Sequence, residues 1–217
     1  LLSFALLALF LGFKHSYDSD HLIAVSNILR NVKSVKSGIK VGLSWAMGHM
    51  ITAAIITILL YFFKETFLND LLPHFEKVVG VMLIILGVLS LRDFFSFHSH
   101  KHSHNGVVHS HPHFHLKDGK EKHLHKHMLG IGVIQGLASN DELLVLFTTS
   151  LAVTSLGWLL LGLGIFSLGV VLGMLFFTFI FSYPLLKTQS RYLHRIVTFA
   201  AGSAGILYGT MTTLSIL

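Results

Sequence analysis

The sequence predicts an all-α, polytopic membrane protein of six transmembrane helices, built as two inverted three-helix repeats. Three observations lead there. The chain is 53% hydrophobic and only 12% charged, about half the charge of a soluble domain. Runs rich enough in apolar residues to cross a bilayer core, at roughly 20 residues each, occur six times along the chain. The basic residues gather in the connections between those runs, as in cytoplasmic loops of membrane proteins. The surplus of 16 Lys and Arg over 10 Asp and Glu is therefore read as orientation within a lipid bilayer, and no nucleic-acid partner is expected. With no cysteine in the chain, disulfides and thiolate metal sites are excluded. The chain begins at Leu1 rather than Met, which suggests that residues ahead of it have been removed.

The six spans are expected at 1–28, 38–63, 77–97, 128–154, 156–184 and 195–217. The first connection carries Arg30, Lys33, Lys36 and Lys40, and the third Arg92, Lys101, Lys117, Lys120, Lys122 and Lys126. The fifth carries Lys187, Arg191 and Arg195. In the second, Lys64 and Lys77 are diluted by Glu65, Asp70 and Glu76, and the fourth has no basic residue. Odd connections are thus cytoplasmic, and both visible termini face outward.

A weak internal repeat accompanies the spans. A shift of 121 residues lays Asp20-His21-Leu22 on Asp141-Glu142-Leu143, Gly48 on Gly169 and Thr57 on Thr178. A shift of 122 lays Gly80 on Gly202 and Gly87 on Gly209. Three helices per unit is an odd number, so the two units would lie inverted, with a site between them near the midplane. Residues 1–97 form the first unit, 98–127 a cytoplasmic loop, and 128–217 the second unit.

Residues 14–22 interrupt the first span with His15, Asp18, Asp20 and His21. Ionisable groups at membrane depth are costly and mark ion or substrate pathways. At about 100° per residue, His15, Asp18 and His21 share one helix face, whereas Asp20 joins them only where the helix unwinds. Two imidazoles with carboxylates suit a borderline divalent transition metal rather than Mg2+ or Ca2+. His49, in the middle of the second span with Trp45, Thr52 and Ala53 on its face, is expected to ligate the same ion or to support a ligand. In the fourth span, Gln135, Asn140, Asp141 and Glu142 form a second polar cluster, read either as a coupling or charge-balancing site or as a capped helix start.

Eleven of the thirty residues from 98 to 127 are histidine: His98, His100, His102, His104, His109, His111, His113, His115, His123, His125 and His127. Gly106, Pro112 and Gly119 interrupt them. Such tracts are disordered when free and bind transition metals. This one is expected to be an auxiliary cytoplasmic binder that buffers, delivers or senses metal.

The stretch from His15 to Asn27 resembles the His-X4-Asp-His signature of the nickel/cobalt transporter family, carried here by His15, Asp20 and His21. An acid at Asp18 and Gly48-His49 in the second span are also similar to that family, although Met50 stands where a small hydroxyl residue is usual. A signature in the first visible helix resembles the shorter six-helix branch. The resemblance implies a transporter of Ni2+, with Co2+ as the second candidate, working by alternating access. It leaves both uptake and efflux open, and uptake is the direction favoured. It implies no permanent cofactor, since the ion is cargo, and suggests a cytoplasmic nickel chaperone or nickel-enzyme maturation system as partner. A membrane-anchored metal sensor is a further reading. An intramembrane metalloenzyme would need several histidine boxes. Within the spans there are only His15, His21 and His49, so no enzyme is expected.

Overall fold

Apolar runs with small and hydroxyl residues every few positions favour helices that pack closely on one another. The computed structural model describes residues 2–63, 68–95, 100–104, 107–111, 121–138, 156–188 and 190–214. Within them lie seven helices: α1 (Leu2–His15), α2 (Ser19–Leu29), α3 (Val35–Phe63), α4 (Leu68–Phe95), α5 (Glu121–Ala138), α6 (Leu156–Thr188) and α7 (Arg191–Leu214). Three of these hold stretches long and apolar enough to cross a membrane: Val35–Leu59, His74–Phe95 and Gly157–Thr188. The Leu2–His15 and His127–Ala138 helices are apolar but shorter.

The expected first span is two helices rather than one. The chain leaves α1 through i→i−3 bonds, from Tyr17 N–H to the Lys14 carbonyl at 2.9 Å and from Asp18 N–H to the His15 carbonyl at 3.1 Å. Asp18 is then extended at the start of α2, with φ −61° and ψ 144°. The helix α5 starts at Glu121, ahead of the expected 128, so His123, His125 and His127 belong to its opening turns. Glu, Lys, Leu and Met in that stretch are good helix formers, and they extend the helix back towards Gly119. In the histidine-rich segment an antiparallel pair, β1 (His100–His104) and β2 (Val107–His111), takes the place of an irregular loop, with His102 opposite His109. Asn-Gly, which separates the two strands in the sequence, is a preferred two-residue hairpin connection.

The helices pack as α1 on α6, α3 on α5 and α4 on α7, with α3 also on α6. Glycines allow each contact. In α1 and α6, a side chain on Gly12 would strike the Phe166 carbonyl, and one on Gly169 the Leu9 carbonyl. In α3 and α5, Gly48 faces the Leu129 carbonyl and Gly132 the Trp45 carbonyl in the same manner. Between α4 and α7, Gly80 meets Gly209 and Gly87 meets Gly202. The short helix α2 is pinned at its far end. Asn27 donates to the Ala201 carbonyl in α7 at 3.1 Å and accepts from Ser90 Oγ in α4 at 2.5 Å. Arg30 reaches Asp93 at 2.7 Å.

Close backbone approach predicts a contrast between neighbouring glycines. A methyl group at Gly132 collides with backbone, whereas Gly130 faces open space. Overpacking costs about 1–3 kcal/mol. Gly132→Ala should therefore lower the thermal midpoint of the detergent-purified protein by several degrees, while Gly130→Ala should leave it unchanged or slightly raised.

Candidate metal centre

Three histidines meet where α1 ends and α2 begins. His15 is the last residue of α1, His21 lies in the first turn of α2, and His49 projects from α3. All three are buried, and one ligand nitrogen from each lies within 4.8 Å of the others. The rings crowd together, with centroids 4.8 Å apart for His15 and His21 and 4.9 Å apart for His21 and His49.

Their hydrogen bonds select the nitrogens that face inward. His21 Nδ1 lies 3.0 Å from the His15 carbonyl. A carbonyl only accepts, so Nδ1 carries the proton and the lone pair is on Nε2. His15 Nδ1 lies 2.9 Å from Asp18 Oδ2, which likewise puts the proton on Nδ1. Its Nε2 faces His49 Nε2 at 3.1 Å. His49 Nδ1 is buried with no hydrogen-bond partner among the described residues. Binding a cation through His49 Nε2 would place that ring's proton on Nδ1. The centre therefore gathers nitrogen donors of the type that borderline divalent metals prefer.

The carboxylates play different parts. Asp18 engages His15, an arrangement in which a carboxylate orients a ligand imidazole and raises its basicity. At the N-cap of α2 it makes no side-chain cap bond to the helix. Asp20 Oδ2 lies 3.4 Å from His21 Nε2, so the break brings Asp20 back to the face from which a continuous helix would turn it away. Acid in the first turn also suits the positive end of the α2 dipole.

Gln135 comes from α5 and is buried beside the centre. Its amide donates to Asp20 Oδ2 at 3.1 Å and accepts from Trp45 Nε1 at 2.7 Å. Trp45 also stacks on His49, with centroids 4.9 Å apart and planes 19° apart. Helical spacing puts Trp45 on the His49 face. No sequence signal pairs its indole with a glutamine 90 residues away. Phe166, packed 5.5 Å from the His15 ring, is equally a product of the tertiary fold.

Asn140, Asp141 and Glu142 lie outside the described residues, as do His98, His113 and His115. The centre thus brings together His15, Asp18, Asp20, His21, His49 and Gln135, while the paired strands carry His100, His102, His104, His109 and His111.

Comparison with known proteins adds the family. The model of the cytochrome c biogenesis protein transmembrane region matches residues 21–210. The chain belongs to this family. It is a membrane protein. It is similar to "Urease accessory protein UreH" of Bacillus sp. (strain TB-90), 29% identical over 96% of this chain and 90% of that protein. It is also similar to "Nickel transporter NixA" of Staphylococcus aureus, 29% identical over 42% of this chain and 29% of the relative. With "High-affinity nickel-transport protein NixA" of Helicobacter pylori (strain ATCC 700392 / 26695) it shares 30% identity over 40% of this chain and 28% of the relative. The chain therefore spans under a third of the two transporters' length and nearly all of the accessory protein. Two of these relatives are named as nickel transporters and one as an accessory protein. No solved structure matches the chain.

The Asp18 contact predicts a separable effect. Loss of an outer carboxylate partner weakens metal binding about 10–100-fold. Asp18→Asn should weaken Ni2+ binding by that factor in calorimetry, on a chain whose loop histidines are replaced by serine, without changing its thermal midpoint in metal-free buffer.

Proposed function

We propose that the chain is a secondary membrane transporter of Ni2+, with Co2+ as a second cargo. The observation that carries this reading is the convergence of His15, His21 and His49 at a break between two half-helices. Discontinuous helices at a midplane site are a recurrent transporter device, because freed backbone groups and helix ends help to hold the cargo. The transported ion would shed water to the three imidazoles and Asp20, with Asp18 orienting His15. Relatives named as nickel transporters support the choice of metal.

The proposed architecture is six spans in two inverted units, the six-helix branch of the nickel/cobalt transporters, with α1 and α2 together making the first span. The packing supports it. The α1–α6 contact of Gly12, Leu9, Phe166 and Gly169 has a counterpart in the α3–α5 contact of Gly132, Leu129, Trp45 and Gly48. Each residue and its counterpart are related by a shift of 120 or 121 positions. Exchanging the units turns the first contact into the second and leaves the α4–α7 and α3–α6 contacts as they are. Rocking one unit against the other would expose the centre to each side in turn.

In this scheme Asp141 and Glu142, with Asn140, balance the charge of the ion or carry coupling protons from the second unit. The histidine-rich segment faces the cytoplasm, where it receives the ion, and both visible termini face outward. The favoured direction is uptake, delivering nickel to a cytoplasmic chaperone or nickel-enzyme maturation system. The relative named as a urease accessory protein supports that link. The chemistry is that of imidazole and carboxylate, since the chain has no cysteine.

Proteoliposomes test the reading. Radiolabelled nickel should enter in a saturable manner, and His21→Ala should abolish the flux. Neutral imidazole is the ligand form, so flux should fall on acidification as the ligand histidines take up protons. Undiminished flux in His15→Ala and His21→Ala would contradict the proposal. Cells expressing the protein should accumulate nickel, whereas depletion would reassign the direction to export.

A further inference from the structure

We infer that Gln135, locked by Trp45, is a positioning residue that presents Asp20 to the metal as the centre's one anionic donor. This deepens the transport reading and rests on it. The argument begins with the amide. Gln135 is buried, so turning its amide end for end would leave buried polar atoms mispaired, which is costly away from water. An indole N–H only donates, and it lies 2.7 Å from Gln135 Oε1. The oxygen end of the amide is therefore fixed on Trp45, and the NH2 end must face away from it. That end lies 3.1 Å from Asp20 Oδ2.

The consequence is chemical. Asp20 receives a neutral donor, which orients the carboxylate without cancelling its charge. The same oxygen lies 3.4 Å from His21 Nε2, so the held carboxylate sits beside a ligand nitrogen. A Lys or Arg in place of Gln135 would hold Asp20 as well, but would repel the ion. Three imidazoles and one carboxylate would offer four donors of the kinds that Co2+ and Zn2+ take, and that Ni2+ accepts with added water. Trp45 serves twice, since the indole that fixes Gln135 also stacks on His49. Because Gln135 stands on α5 and Asp20 on α2, the donor set is completed by a helix that supplies no ligand itself.

The competing explanation is that Gln135 merely satisfies the buried indole N–H. A double-mutant cycle separates the two, because residues that act through one another are non-additive. The full chain, with its loop histidines changed to serine, is titrated with Ni2+ chloride. Gln135→Leu should weaken binding about tenfold or more, as expected for loss of a partner that orients a ligand. In an Asp20→Asn background the same change should cost no more than about twofold. Trp45→Phe keeps a ring against His49 while removing the N–H. It should reproduce the Gln135→Leu loss, which guards against a leucine variant that folds poorly. Co2+ absorption gives a second readout, in which the d–d bands of Gln135→Leu should match those of Asp20→Asn. Equal losses in both backgrounds, or bands like those of the wild type, would overturn the inference. A parent chain that binds no Ni2+ would overturn the transport reading and this one with it. Binding that ignores Gln135 would overturn only this one.

Discussion

The His15 carbonyl accepts from Asp18 N–H at 3.1 Å and is also 3.0 Å from His21 Nδ1. In an unbroken helix it would belong to the backbone four residues on. Diverted from that role, it ends α1, fixes the tautomer of His21 and keeps the two rings together. Asp18, freed from the helix interior by the same break, takes His15 Nδ1. Asp20 turns towards His21 instead of away. The donor set thus follows from one rearranged carbonyl.

A break of this kind is tolerable in an apolar surrounding only where neighbouring helices cover it. Here α3, α5 and α6 do so. Gly12, Gly48, Gly132 and Gly169 let their backbones approach more closely than any side chain would allow, and Trp45 and Phe166 fill the space around the rings. At the far end of α2, Asn27 and Arg30 tie the half-helix to α7 and α4. The centre is therefore held from both sides of the break, and any motion that exposes it must change one of these packed contacts rather than a single side chain.

Much of the centre was legible in the sequence because its donors lie close together along the chain. His15, Asp18, Asp20 and His21 fall within seven residues, and helical geometry shows that Asp20 joins only through unwinding. His49 was legible as a polar residue isolated in an oily helix. Other features were hidden. Spacing does not reveal that Asp18 serves His15, since a carboxylate on the shared face fits a metal ligand equally well. The bonds of Gln135 to Trp45 and Asp20 join three helices and leave no local pattern. The strand pair in the histidine-rich stretch was obscured by composition, which speaks for disorder more loudly than an alternating pattern speaks for strands.

The central claim is that three imidazoles and a carboxylate at this break hold the ion. X-ray absorption at the nickel edge measures it most directly, on the full chain with its loop histidines replaced by serine and loaded with one equivalent of Ni2+. The account predicts multiple-scattering features of about three imidazole rings, reduced by one in His49→Ala. A shell of oxygen alone, or a spectrum unchanged by loss of His49, would contradict it.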